Sequence, residues 1–589
     1  MGALSYLMLA AGLLGQLKVW VGIALICLLG LLGWRHLVRL GRALRQALSS
    51  PKRLRWALLP LLLFLLATGA FTLVGALAPA TDIDYDGLVY HLAIPEIYLR
   101  DGRIHSIPWL SHSNFPFTLE MLYLLGLLLR DQSLAKLFHL GCGWLIIWAA
   151  FAFARRSWGP RAGWLAASIL AGIPLLSWEM MSAYNELAFA LYAFLAIFAL
   201  SRWFEGRRSG EGDGWLWVAA ITCGLCLGTK MLAGAVLVFA LIALAWHWIR
   251  TAPRERMLLR IMAFAAIALA VASPWYLKSY FYTGNPVYPF FYGLFDGRFW
   301  TADRARLYTA AQKEFGIGAG PLAFLALPWN LTMNSYRFFD LPTQLRPVNI
   351  LVWVFGPLLL ALVPTLLATG PAGGRARLML WFALVYTGIW FLMTQNGRYL
   401  IPILPGLCAC AGLAAARLLE RRGLLVAATT LALLLGFASS LYASFSLASP
   451  AWQVALGLES QSEYLERNSQ LYPWLQAINR ATPPDAKIMV FGDEPRLFYL
   501  DRGYLLGNHA QIFSARDLAS PDSLLAAMRR MGVTDLIIQV SALQDMAQRK
   551  GVLETDLAGL EAEQKIRPIG LYGTLSLWQI ADASRRSER

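Results

Sequence analysis

About a dozen apolar stretches, each near the length that crosses a bilayer, dominate this 589-residue sequence. A membrane-spanning helix needs about 20 mostly apolar residues. In hydrocarbon its backbone groups must be satisfied within the segment, so helices are the expected form. Stretches that meet this requirement lie at roughly 19–38, 55–79, 134–154, 161–178, 187–203, 214–229, 231–249, 260–277, 349–369, 377–393, 399–418 and 423–446. Residues 1–17 form a further short apolar segment, which leaves open whether it also spans. With 58% hydrophobic residues, the chain reads as a polytopic α-helical membrane protein of about 12–13 transmembrane helices.

Charge orients these segments. Arg155, Arg156 and Arg161 lie in one loop, and Arg202, Arg207 and Arg208 in the next but one. Arg250, Arg254, Arg256 and Arg260, then Arg375 and Arg377, then Arg417, Arg421 and Arg422 continue the alternation. Cytoplasmic loops carry the excess of Lys and Arg, so these loops face the cytoplasm. Phe117–Leu129 is apolar but short. Counting it as a span would invert every later loop, so it reads as an interfacial or re-entrant helix. Two long exoplasmic loops follow, about 80–133 and 278–348, and the chain beyond about 447 is exoplasmic too. The net charge of +16 is spread over short loops and forms no basic module, which excludes nucleic acid as a partner. The six cysteines all lie in apolar segments and read as core residues, Cys223 and Cys226 included.

Three regions result. Residues 1–54 hold the extra N-terminal segment or segments and a basic cytoplasmic loop. Residues 55–446 are the transmembrane body, and 447–589 a small soluble α/β domain. In the last, Lys487–Phe491 and Asp535–Val540 read as buried strands, and Gly573–Ile580 as a closing strand. Asp522–Met531 and Leu553–Gln564 read as amphipathic helices. The domain has no glycine-rich nucleotide motif and reads as a lid or acceptor-docking module.

The chemistry concentrates on one face. Asp82-Ile83-Asp84-Tyr85-Asp86 emerges immediately after the span at 55–79, whose other end is basic (Arg42, Arg45, Lys52, Arg53, Arg55). Asp86 has a second reading, as the cap of a helix that follows through Tyr90 and His91. Capping needs one acid of the three. Lys230, Lys278 and Arg398 stand at exoplasmic ends of spans, where orientation does not require cations. A phosphate is their natural partner, through charge-assisted hydrogen bonds. Trp178-Glu179 and Tyr184-Asn185-Glu186 place carboxylates at another exoplasmic turn, and Glu186 reads either as a site acid or as a helix cap. Gly284-Asn285-Pro286-Val287-Tyr288-Pro289 is a rigid turn. Lys136 and His139 begin a span, and His139 reads as an outer-face packing residue.

Together these pieces resemble the GT-C glycosyltransferases, and within them the bacterial aminoarabinose transferases and protein O-mannosyltransferase-like proteins. The family pattern of a carboxylate in the first exoplasmic loop, with an aromatic four residues later, is matched by Asp86 and Tyr90, followed by His91. Gly228-Thr229-Lys230 resembles its Gly-x-Lys turn. Ser273-Pro274-Trp275 with Gly284-Asn285-Pro286, and Arg398-Tyr399 with Pro402 and Pro405, resemble two further segments. The resemblance covers about residues 55–446. It implies a GT-C transmembrane domain and transfer of a sugar from a polyprenyl-phosphate donor to a lipid, glycan or protein acceptor. It implies Asp86, or else Asp84, as the catalytic base. Lys230, Arg398 and Lys278 are expected on the donor phosphate, and Tyr90, His91 and Glu186 on the substrate. Some relatives bind a divalent metal, so Asp82, Asp84 and Asp86 are the candidate ligands for Mg²⁺ or Mn²⁺ if one is used. The implied location is the bacterial inner membrane with the C-terminal domain in the periplasm. A lipid or polysaccharide transporter or flippase would instead place ionisable groups near mid-membrane. An O-antigen ligase or polymerase would place its key Arg and His in a late loop.

Overall fold

Apolar runs bounded by Pro, Gly and charged residues become helices that are apolar all round, as buried and lipid-facing helices must be. The computed structural model describes residues 1–49, 58–206, 212–250, 256–339, 354–370, 373–508, 512–548 and 550–581. Helix α1 (Gly2–Leu13) and α2 (Val19–Ser49) precede α3 (Leu59–Leu77). The first long loop carries α4 (Ala93–Arg100) and α5 (Glu120–Leu129). Then come α6 (Gln132–Trp158), α7 (Pro160–Ala171), α8 (Pro174–Met181), α9 (Glu186–Gly206), α10 (Gly214–Leu227), α11 (Gly234–Arg250) and α12 (Met257–Thr283). The second long loop carries α13 (Ala302–Gln312). Helices α14 (Gly373–Leu392), α15 (Leu404–Leu418) and α16 (Leu424–Ala448) complete the body.

Among the described residues, 9 helices are long and apolar enough to cross a membrane, or up to 10 if the bent pair α7 and α8 is one span. That is fewer than the expected 12–13, and the difference lies in three segments. The 161–178 stretch is broken by 65° between Ala171 and Pro174, where proline opens a new helix. The 349–369 stretch yields only the short helix Leu358–Leu367, and its first five residues lie outside the described ones. The 214–229 stretch is the 14-residue α10. The segment from Asp213 to Lys230, with α10 inside it, runs beside α9. Asp213 before it accepts from Trp203 Nε1 of α9 (3.0 Å) and pairs with Arg260 Nε of α12 (2.9 Å). Lys230 beyond its other end meets Glu186, the first residue of α9. Both segments set apart as short are short helices, α1 at 12 residues and α5 at 10.

Packing ranks the helices. The span ending in α15 has 89% of its apolar window buried and α9 has 78%, so these two form the centre; α2 has 6% and lies at the edge. Close approach at the centre depends on small residues. A Cβ on Gly412 of α15 would come within 2.7 Å of the Ala162 carbonyl and the Ala166 amide of α7.

The C-terminal sheet runs β2-β1-β3-β5-β4, from β1 (Lys487–Phe491), β2 (Gly503–Leu506), β3 (Asp535–Gln539), β4 (Ile566–Tyr572) and β5 (Leu575–Ile580). β1 pairs parallel with β2 and β3, and β5 pairs antiparallel with β3 and β4. Strand periodicity sends alternate side chains to opposite faces. Ile488, Val490 and Ile537 pack on Leu471, Leu475 and Ile478 of α18 (Leu471–Ala481), which follows α17 (Gln461–Asn468). Met489, Leu536 and Ile538 pack on α19 (Pro521–Arg530) and α20 (Val552–Ala562). The first of these cores runs on into Ile94, Ile97 and Tyr98 of the first loop and Met8 of α1, which joins the domain to the membrane body.

Candidate active site

The acidic loop leaves α3 as a turn at Asp82–Ile83, closed by the Asp84 amide on the Thr81 carbonyl (2.8 Å), and enters helix at Tyr85–Asp86, so 82, 84 and 86 do not share one side. Its three carboxylates therefore reach three different partners. Asp82 accepts from Ser469 Oγ (2.6 Å) and the Gln470 amide (2.7 Å) of the C-terminal domain. Asp84 is buried and accepts from the Thr81 amide at 3.2 Å. Asp86 Oδ2 accepts from Arg398 Nη2 at 2.8 Å. Asp86 makes no capping hydrogen bond to the helical turn Gly87–His91 that follows, so the capping reading fails and the carboxylate is spent on Arg398. The three carboxylates diverge, so they do not meet as one shared ligand set. Among the described residues no group of three or more His, Cys, Asp or Glu gathers at one point.

The second wall is the break between α8 and α9. Helices α5 and α6 supply three anchors of Ser182–Leu187. His139 lies with Nδ1 2.9 Å from the Ser182 carbonyl while Nε2 accepts from the Leu187 amide (3.1 Å). Tyr123 donates its hydroxyl to the Tyr184 carbonyl. Glu120 Oε1 receives both Asn185 Nδ2 (2.9 Å) and His91 Nδ1 (2.7 Å), so one buried carboxylate ties this break to the acidic loop. His139 is fully buried, with both ring nitrogens committed to backbone; it is a pin of the site rather than outer-face packing.

The third wall supplies the cations. Lys230 follows the end of α10 and lies 2.7 Å from Glu186 Oε1 and 4.1 Å above the Tyr399 ring. Arg398 is positioned by Asn396, whose Oδ1 accepts from the Arg398 amide (3.1 Å). Trp390 Nε1 holds the Asn396 carbonyl in turn (2.8 Å). The Arg398 guanidinium lies 4.7 Å from the Tyr184 ring centre and reaches Glu186 at 4.0 Å besides Asp86. Two cations and two carboxylates thus alternate in an open ring, with contacts from Asp86 to Arg398, from Arg398 to Glu186 and from Glu186 to Lys230.

Electrostatics follow from that ring. Burial pushes the Asp86 carboxyl up, but the Arg398 guanidinium, helped by His91, overrides it and holds Asp86 below the usual carboxylate range. Burial works against the Lys230 charge, and the Glu186 carboxylate outweighs it, so this ammonium is held more firmly than usual. Asp84 goes the other way: burial raises it, with Lys136 the main opposing influence.

A cavity of about 930 Å³ opens at this ring. Of the residues singled out in the sequence, Asp82, Asp86, Tyr90, Lys230 and Arg398 line it. Glu186 and His91 lie beneath the lining, each 1% exposed, and act through Lys230 and Glu120. Two others are elsewhere. Asp84 is buried behind the loop. Lys278 is still inside α12, donates to the Ser113 carbonyl (2.6 Å) and is not among the lining residues. The reading of Lys278 as a phosphate ligand and of Asp84 as a base thus meets side chains that point away from the cavity. The rest of the wall is strongly apolar and aromatic, with Phe115, Phe117, Phe290 and Tyr276 in one stretch and Leu175, Trp178, Val354 and Leu447 in another.

Sequence reading passed over Glu120, and named Asn185, Tyr184 and Tyr399 only as motif neighbours with no role of their own. Glu120 had a signal: a lone acid in the apolar run Phe117–Leu129, where burying a charge is costly without a partner. The aromatic pair had none, because rings are plentiful in this chain.

Comparison with known proteins agrees with this architecture. Residues 127–285 match the family described as dolichyl-phosphate-mannose-protein mannosyltransferase. No curated protein sequence matches the chain. Among solved structures, ArnT from Cupriavidus metallidurans in its apo state is similar, with 14% identity, a TM-score of 0.52 and coverage of 88% of this chain and 97% of that one. The same enzyme bound to undecaprenyl phosphate gives 13% identity, a TM-score of 0.54 and coverage of 89% and 98%. The chain has the GT-C fold of these two structures over most of its length.

Proposed function

We propose that this protein is a glycosyltransferase that moves a sugar from a polyprenyl-phosphate donor to an acceptor hydroxyl at the periplasmic face of the bacterial inner membrane. The observation that carries the reading is the ring of Asp86, Arg398, Glu186 and Lys230 at the mouth of a cavity with apolar walls. An amphipathic donor needs both parts: cations for its phosphate and apolar wall for its lipid. Likeness to an enzyme solved with undecaprenyl phosphate supports the same donor class.

The residues divide the work. Lys230 and Arg398 bind the donor phosphate and stabilise the charge that grows on it as the glycosidic bond breaks. Asp86 takes the proton of the acceptor hydroxyl, which attacks the anomeric carbon from the side opposite the phosphate, so the anomeric configuration inverts. Arg398 links the two events. While its guanidinium is given to Asp86, that carboxylate is a weak base. A phosphate drawing on the same guanidinium weakens the hold, and burial then raises the basicity of Asp86. Donor binding thus prepares the base. Glu186 keeps Lys230 charged and in place, and Tyr184 and Tyr399 fix the two cations by their ring faces.

The test is a release assay with purified protein and a panel of polyprenyl-phosphate sugars, comparing wild type with Asp86→Asn. Free polyprenyl phosphate appearing with wild type and not with the variant supports the assignment. Equal release by both would remove Asp86 as the base. Neither binding nor release of any donor would overturn the glycosyltransferase reading.

A further inference from the structure

Asp82 is half-buried, like Asp86, and the transfer chemistry leaves it unused. Its side chain points to the C-terminal domain. Oδ1 accepts from Ser469 Oγ and Oδ2 from the Gln470 amide, at the entry to α18. Ser469 Oγ in turn accepts from the Tyr472 amide (3.0 Å), so Asp82 extends the cap of that helix across a gap of 387 residues in sequence. A carboxylate there also meets the positive end of the helix dipole.

The domain grips back. Arg496 Nη1 donates to the Asp82 carbonyl (2.8 Å), and its guanidinium lies 5.4 Å from the Tyr85 ring centre. Glu494 holds the remaining face of that guanidinium. Tyr499 donates to the Ala80 carbonyl (2.5 Å). Five contacts from four domain residues therefore fall within Ala80–Tyr85, the segment that ends one residue before Asp86. Two domain residues, Gln470 and Arg496, also line the cavity beside Asp82 and Tyr85.

We infer that Asp82 is a positioning residue that locks the C-terminal domain onto the acidic loop, so that Gln470 and Arg496 form the acceptor-facing wall of the cavity. The acceptor-facing part of this inference rests on the glycosyltransferase reading; the lock itself does not. Losing Asp82 frees the first turn of α18 and the loop together. The wall that Gln470 and Arg496 supply loses its register on Asp86, while the donor phosphate site at Lys230 and Arg398 stays intact. The consequence is a raised KM for acceptor with donor affinity unchanged.

Two measurements on the full-length protein in detergent test this, using Asp82→Ala and Asp82→Asn. Amide hydrogen exchange, which needs no substrate, is expected to rise at least tenfold in both 80–86 and 469–473 for Asp82→Ala. Asp82→Asn, which keeps an acceptor oxygen, is expected to fall between Ala and wild type. In the release assay with acceptor, Asp82→Ala is expected to raise the acceptor KM about tenfold and leave donor binding within twofold. Exchange unchanged in 469–473 for Asp82→Ala would overturn the lock, whatever the activity. Exchange raised but acceptor KM unchanged would overturn the acceptor wall and leave transfer itself standing. If Asp82→Ala does not fold, Ser469→Ala removes one of the two Asp82 side-chain contacts and Arg496→Gln the contact to the Asp82 carbonyl, and each is expected to raise exchange in the same two segments.

Discussion

Arg398 Nη2 and Asp86 Oδ2 lie 2.8 Å apart across a separation of 312 residues. The two groups come from opposite ends of the membrane body, the loop after α3 and the turn before α15. Their meeting defines the mouth of the cavity and sets the reactivity of the carboxylate.

Asp86→Asn is expected to lower the transfer rate by about 10²–10⁴-fold, the range for removing a general base. Donor affinity should stay within a few fold, because Lys230 and Arg398 remain. The check is single-turnover transfer alongside donor binding. Loss of binding in parallel with rate would assign Asp86 a binding role instead.

The pH dependence follows from the same pair. Arg398 holds Asp86 below its ordinary value of 3.8, so the base stays ionised across the neutral range and the acid limb of kcat/KM lies below that value. Arg398→Gln removes the attraction and leaves burial, which raises the carboxyl, so the acid limb moves to higher pH. The linkage has the matching sign. A carboxylate depressed in the fold contributes stability that is present above its unfolded pKa and fades as pH falls through the folded one. An acid limb that does not move in Arg398→Gln would place the base elsewhere.

Lys230→Gln leaves Glu186 buried without its cation. Breaking a buried pair from one side costs about 3–5 kcal/mol. Lys230→Gln with Glu186→Gln removes both charges and should recover most of that stability. Donor binding should fail in both variants. Thermal melts and donor titration separate the two effects; recovery of binding in the double variant would show that Lys230 serves structure alone.

His139→Ala removes the ring that joins the Ser182 carbonyl to the Leu187 amide. Each buried backbone group left unpaired costs about 1–3 kcal/mol. A melting temperature lowered by several degrees is expected, with activity falling because Tyr184 and Asn185 lose their register. An unchanged melt would show that the break between α8 and α9 holds itself.

Gly412→Ala tests the central packing. Its added methyl meets backbone atoms of α7 at 2.7 Å, which no rotamer change relieves. Overpacking of this kind costs about 1–3 kcal/mol, read as a lower melting temperature. A neutral result would mean that α7 and α15 slide apart freely.

Some site residues were legible because the membrane restricts where polar groups go. Asp86, Lys230 and Arg398 stood at span ends where an ion without a partner is costly, and that cost is local. Lys278 satisfied the same rule and still points elsewhere, because α12 continues to Thr283 and carries it to the Ser113 carbonyl. A shift of a few residues in a helix end rotates a side chain by whole fractions of a turn, and hydropathy does not locate ends that finely. The roles of Glu120, Asn185 and Tyr184 were missed because they depend on partners far away in sequence.

From the sequence alone came the membrane class, the bundle of apolar helices, the soluble α/β end and the clustering of acids and cations on one face. All of these rest on composition, period and charge, which act locally along the chain. Tertiary structure decided the rest. It set the short helix α10 beside α9, with Asp213 at Trp203 and Lys230 at Glu186. It sent Asp82, Asp84 and Asp86 to three different partners and linked Asp86 through Arg398 and Glu186 to Lys230. The physical reason is that a carboxylate's role is set by which cation or amide lies within about 3 Å of it, and those neighbours come from helices hundreds of residues apart.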